Sequence, residues 1–387
     1  MKLYFAGHRT LVYLLLLLPA SLAFAQNVIV DCSGTTPGAF TSLNSAIISS
    51  PDKTGFLVSG TCTENINIGS RTSLTFFGNP TATIQAADPN SAVVGIVESQ
   101  RIRFLDMTFS GGQGILMIGT KNVVLTGITV KNSTVFGIDS ANSSVQIQNS
   151  SITASTRSGI VVSGGSFELD GGVTVSNNGR LGISAGSAAH LTMVDGSGPN
   201  IISDNGLSGI QLFGTSQADF TGDNEITNNN TTNATGQFGL LVQSNSGLLM
   251  SNGTINGNSG AGVICDVHSQ CSLGNTHVDG NAAGGVQVLE HSLATFGGVD
   301  VSNNTGTGIL VDQGSSLSLG GDTIANNTGD GLILNTLSTL KFFANEVMTA
   351  SPGNLTLNCN NGSMVDGDVS IYKPKKCGAQ FQAIPIH

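Results

Sequence analysis

Gly262 to Asn281, GVICDVHSQCSLGNTHVDGN, packs three short alternating runs into twenty residues. Val263 and Cys265, then Cys271 and Leu273, then Val278 point one way, with polar or small residues between them, which is the period-2 pattern of strands a few residues long. A helix would need about 10 residues of 3.6 periodicity, and the unit has none. Gly, Asn, Ser and Asp fill the gaps and suit tight corners.

The fragment Gly-Ile/Val/Leu-x-apolar recurs at Gly114, Gly137, Gly159, Gly182, Gly209, Gly239, Gly262, Gly285, Gly308 and Gly331, at intervals of 23, 22, 23, 27, 30, 23, 23, 23 and 23 residues. Loop insertions at Val194 to Asn200 and Asn228 to Gly236 account for the two long intervals. A fixed period of this length marks a solenoid. Three strands per coil, stacked about 4.8 Å apart in parallel sheets, make it an all-β parallel β-helix. Asn178, Asn205, Asn258, Asn281, Asn304 and Asn327 each stand four residues before a repeat Gly. They predict a ladder of stacked amides at one corner, a structural feature and not a binding surface.

Composition agrees, because 52 Gly, 10% charged residues and no Trp disfavour a helical protein while 39% hydrophobic content can fill a long core. At the N-terminus, Lys2, His8 and Arg9 precede the apolar run Leu11 to Leu18 and the small-residue end Ala23-Phe24-Ala25, the pattern of a secretory signal peptide over 1–25. Its loss takes Lys2 and Arg9 and moves the formal charge from -10 to -12. An exported monomer, secreted or periplasmic, is expected, with no membrane span and no nucleic-acid partner. Cys32, Cys62, Cys265, Cys271, Cys359 and Cys377 all lie in the exported part, where disulfides form. Chain order pairs Cys32 with Cys62, Cys265 with Cys271 and Cys359 with Cys377, among several connectivities the count allows.

Val28 to Val30 and the Phe40 to Ile48 segment read as a strand and a short amphipathic helix with Thr41 or Ser42 as N-cap. They form a lid over the open end of the stack, which would otherwise aggregate. The expected organisation is a cap over 26–54, the solenoid over 55–350 and a disulfide-containing cap over 351–387.

The segment Phe56 to Gly78, FLVSGTCTENINIGSRTSLTFFG, together with the coil length and the Asn ladder, resembles the pectin-lyase-like superfamily. That resemblance implies a right-handed helix and an extracellular polysaccharide partner. It does not fix the reaction, since the fold hosts lyases, hydrolases, esterases, epimerases and noncatalytic proteins. Gly60-x-x-x-Glu64-x-Ile66-x-Ile68 is similar to an early strand of pectin methylesterases, and Glu64 is read as structural. The Asn-Thr-Asp, Gly-His-Gly and Arg-x-Lys segments of polygalacturonases are missing. Outward positions of the second strand of each coil read Gln146, Glu168, Thr192, Asp219, Ser272, Thr295, Ser318 and Lys341, mostly small and neutral.

Alignment of the coils puts Asp266 and Asp312 at one offset, Glu290 one position further, and His268 over His291. Crowded carboxylates beside imidazoles are suited to general acid/base work on a glycan, as a lyase or glycoside hydrolase would need. Under the resemblance, this corner lies beside the substrate cleft. Solvated turns also collect charge, and a noncatalytic adhesion or structural rod roughly 60 Å long is the rival reading. No cofactor is assigned. Calcium suits the carboxylates, but the spacing fixes no coordination geometry. Arg157 and Arg180 share an offset in adjacent coils and are read as anion or uronate contacts, with neutralisation by Glu168, Asp170 or Asp204 as the alternative. His277 and Asp300 read as a cross-strand pair.

Overall fold

The computed structural model describes residues 27–343, 349–350, 353, 356–367 and 373–375. The signal peptide and Cys377 expected from sequence lie outside them. Within the described residues the chain is a right-handed parallel β-helix with one short helix, and every strand pairing is parallel. Each regular coil contributes three strands, exemplified by Val263–Cys265, Gln270–Gly274 and His277–Asp279, which build a first, second and third sheet. Register holds from coil to coil: Val263 pairs with Val286, Cys271 with Ala294 and Val278 with Val301.

Inward residues of the three sheets form one continuous core. Near its start Phe56, Phe76 and Phe104 stack with ring centroids 4.9 and 4.6 Å apart. The repeat Gly has a steric cause. A Cβ on Gly262 would lie 2.5 Å from Val278 Cγ1 and 2.7 Å from Asn281 Nδ2, so glycine is what lets the ladder amide pack against the first strand.

That ladder is buried and longer than the sequence pattern shows. Asn205 Nδ2 donates to Asn229 Oδ1 at 2.9 Å, Asn229 Nδ2 to Asn258 Oδ1 at 3.1 Å and Asn258 Nδ2 to Asn281 Oδ1 at 2.9 Å. Asn229 stands ten residues before its Gly because most of the insertion lies between the two. On the outside of the first sheet, Phe238, just past that insertion, packs with Leu241, Ala261, Ile264 and Leu289.

Val28–Asp31 pairs with Phe56 to Ser59 and is the first rung. The helix Leu43–Ser49 follows, with Ser42 as N-cap accepting from Ser45 N. Glu64 accepts from Leu43 N at 2.6 Å and Ser42 Oγ at 2.8 Å. It is therefore structural, as the sequence indicated, and the structure makes it an anchor at the helix N-terminus. Disulfides join Cys32 to Cys62 and Cys265 to Cys271, and Cys359 is also disulfide-bonded. No helix among the described residues is long and apolar enough to cross a membrane.

Candidate functional site

The corner between the first and second strands is where the sequence places its carboxylates and imidazoles. Two consecutive residues there adopt the left-handed conformation in each coil: Val267 and His268 (φ 49° and 59°), then Glu290 and His291 (φ 49° and 60°). Backbone bonds stack the corners, with His268 N donating to Glu290 O at 2.9 Å and His291 N to Gln313 O at 3.0 Å. The imidazoles of His268 and His291 consequently lie face to face, centroids 5.4 Å apart and planes 9° apart. Gly314 continues the column, and a Cβ there would meet the His291 ring at 3.1 Å.

Asp266 is half-buried and precedes the stacked pair. Burial, reinforced by the charge of Glu290, pushes its carboxyl above the ordinary aspartate range, while a hydrogen bond from Val267 N opposes the shift. Asp312 accepts from Gln313 N at 2.6 Å. The structure thus places Asp266, Glu290, His268 and His291 on one corner, with Asp312 in the next coil, and among the described residues no carboxylate–imidazole ion pair forms there.

A β-branched residue such as Val267 is strained at positive φ. The Cys265–Cys271 disulfide brackets it, with both cysteines buried and Cα atoms 6.2 Å apart. Beneath the corner runs a serine ladder that the sequence reading missed. Ser246 N donates to Ser269 Oγ, Ser269 N to Ser292 Oγ and Ser292 N to Ser315 Oγ, at 3.1 to 3.2 Å. Its signal is a Ser seven residues after the repeat Gly.

The second sheet, which leaves this corner, carries three cavities on its outer face. One of about 330 Å³ is lined by Gln146, Glu168, His190 and Thr192, one of about 200 Å³ by Asp219, Leu249, Ser272 and Thr295, and one of about 350 Å³ by Leu249, Ser272, Thr295, Gly297 and Phe343. The last two share Leu249, Ser272 and Thr295. His190 Nε2 lies 3.5 Å from Asp219 Oδ2 and links the first cavity to the second. Gln270 and Leu293, two residues beyond His268 and His291, line the middle cavity, so the corner forms the edge of the groove.

Arg157 and Arg180 do stack, Arg180 N donating to Arg157 O at 3.0 Å. Both are exposed and neither forms an ion pair among the described residues, so the expected neutralisation by Glu168, Asp170 or Asp204 is absent there. They occupy the corner between the third and first strands, away from the groove. His277 Nδ1 and Asp300 Oδ2 lie 3.5 Å apart on the third sheet. Among the described residues, metal-ligand atoms converge in threes at Cys32, Cys62 and Glu64, but there the sulfurs are bonded to each other and Glu64 holds the helix.

The sequence matches the family model described as the right-handed beta helix region over residues 91–237, 171–323 and 261–366. Among solved structures, it is similar to the A-module of the mannuronan C-5 epimerase AlgE4 of Azotobacter vinelandii, with 12% identity and a TM-score of 0.50 over 87% of this chain and 94% of that one. The A-module of the epimerase AlgE6 from the same organism gives 15% identity and a TM-score of 0.50 over 84% and 93%. At these identities the likeness is one of fold. No curated protein matches the sequence.

Proposed function

The chain belongs to the right-handed β-helix family, and from that premise we propose that it binds an extracellular polysaccharide along its second sheet and acts on it at the adjoining corner. The observation that carries this reading is the succession of cavities on one sheet face with Asp266, Glu290, His268 and His291 at its edge. A trough of small side chains accommodates an extended polymer, and the corner supplies the proton chemistry. Asp266, with its raised pKa, is suited to donate a proton to a glycosidic oxygen. Glu290 serves as base, and the imidazoles carry protons to and from solvent. The two epimerase modules with this fold are named for action on mannuronan, a polysaccharide.

A noncatalytic rod is the second reading. It is favoured by Asp266 and Asp312 each accepting from the N–H of the next residue, as a turn carboxylate does. Reducing-end release from a panel of glycans, with and without calcium, separates the two. Release that is lost in Glu290→Gln or Asp266→Asn without a fall in melting temperature supports the acid/base corner. No release from any polymer supports the rod.

A further inference from the structure

Resting on the groove reading above, we infer that the groove takes a polysaccharide bearing protonated amines, a chain of amino sugars, and not a polyuronate. The side chains lining the three cavities include Glu168, His190 and Asp219 as their ionisable groups and no Lys or Arg. Glu168, Thr192 and Asp219 pair in one column, which puts the two carboxylates two strand spacings apart, roughly 10 Å. His190 sits between them on the intervening strand and leans to Asp219.

Both rims add negative charge. On one side stand Asp266, Glu290 and Asp312, with Lys121 and Arg101 on the same rim at the N-terminal end of the groove. On the other, Asp170 takes a hydrogen bond from Gln146 Nε2 at 3.1 Å, and Asp195 lies beside Asp223, whose N–H reaches its Oδ2 at 3.4 Å. The cations of the column are Arg103, paired with Val124 at one end, and Lys341, paired with Ser318 at the other. Arg157 and Arg180 are on a different corner.

A polyuronate would bring a carboxylate with every sugar into an acid-lined trough, where like charges repel. A polymer of free amino sugars places ammonium groups against Glu168 and Asp219, and its extended chain can reach both. Charge complementarity of this kind selects partners more than it sets raw affinity. The preference therefore appears as discrimination between glycans of the same backbone.

The test uses the purified protein and three hexamers: β-1,4-linked glucosamine, its fully N-acetylated and neutral counterpart, and an oligouronate in the presence of EDTA. Calorimetry should give the amine-bearing hexamer at least about ten-fold tighter binding than the N-acetylated one. The Glu168→Gln, Asp219→Asn double variant should lose about ten-fold. Asp204→Asn with Glu225→Gln, the same charge change outside the groove, should leave binding unaltered. Equal or tighter binding of the N-acetylated hexamer or the oligouronate overturns the inference, as does unchanged amine binding in the groove variant. Ser272→Trp fills the groove and separates the levels. If the neutral or acidic hexamer binds at least as tightly as the amine-bearing one and Ser272→Trp abolishes that binding, the groove reading stands and the amine preference fails. If no glycan binds, or Ser272→Trp changes nothing, the groove reading itself fails.

Discussion

His268 and His291 lie 5.4 Å apart with parallel rings although 23 residues separate them. The coil length alone brings them together, because one full turn returns the chain to the same corner one strand spacing higher. Every side-chain column on the molecule, including the acid corner and the groove, follows from that register.

The Cys265–Cys271 bridge closes a loop that holds Val267 at φ 49°. Replacing both cysteines by Ala should lower stability by about 2 kcal/mol, the value for so short a loop. Val267→Asn, which tolerates the left-handed region, should recover part of that loss. Urea unfolding of wild type, the double Ala variant and the same variant with Val267→Asn measures both effects. No recovery with Asn would mean that the strain is not stored at Val267.

Gly262→Ala places a methyl against Val278 and Asn281 and should cost about 1–3 kcal/mol through overpacking. Gly297→Ala has open space around the new Cβ and should fall within about 0.5 kcal/mol of wild type. Comparable losses at the two positions would contradict the packing explanation of the repeat.

Asn281 accepts from Asn258 N and Nδ2 and donates to Ile255 O and Asn304 Oδ1, all within 3.1 Å. Asn281→Ala leaves these buried groups without partners and should cost on the order of 3 kcal/mol. Hydrogen exchange should then accelerate first at Asn258 N, in the coil preceding the substitution. Uniform acceleration along the helix would argue against a local ladder.

The pH dependence follows from Asp266. Its carboxyl is raised above 3.8 by burial and then by Glu290, so the folded state binds the proton more tightly than the unfolded one. Stability present below 3.8 is therefore lost as pH rises through the raised value. Asp266→Asn cannot ionise, and its stability relative to wild type should improve as pH rises above 3.8. Asp139, raised by burial alone, should behave likewise as Asp139→Asn. A difference between variant and wild type that is independent of pH would reject the assignment.

Much of the architecture was legible because each coil repeats the same inward residues at the same offsets. The short helix, two disulfides and the His268–His291 column were read correctly for that reason. Asn229 breaks the fixed offset because an insertion displaces its Gly. The serine ladder escaped because Ser is common throughout the chain, and only its fixed offset distinguishes Ser269 or Ser292. Nor could residue types reveal the groove, since Ser272, Thr295 and Gly297 form a trough only by contrast with the bulk of Leu249 and Phe343 beside them.

The central claim is that the second sheet is a glycan-binding face, and affinity electrophoresis through gels containing single polysaccharides tests it most directly. At least one glycan should retard the protein. Ser272→Trp should abolish that retardation, whereas Gln287→Trp, on the outer face of the first sheet, should leave it unchanged. Free migration in every gel, or equal retardation of wild type and Ser272→Trp, would contradict the account.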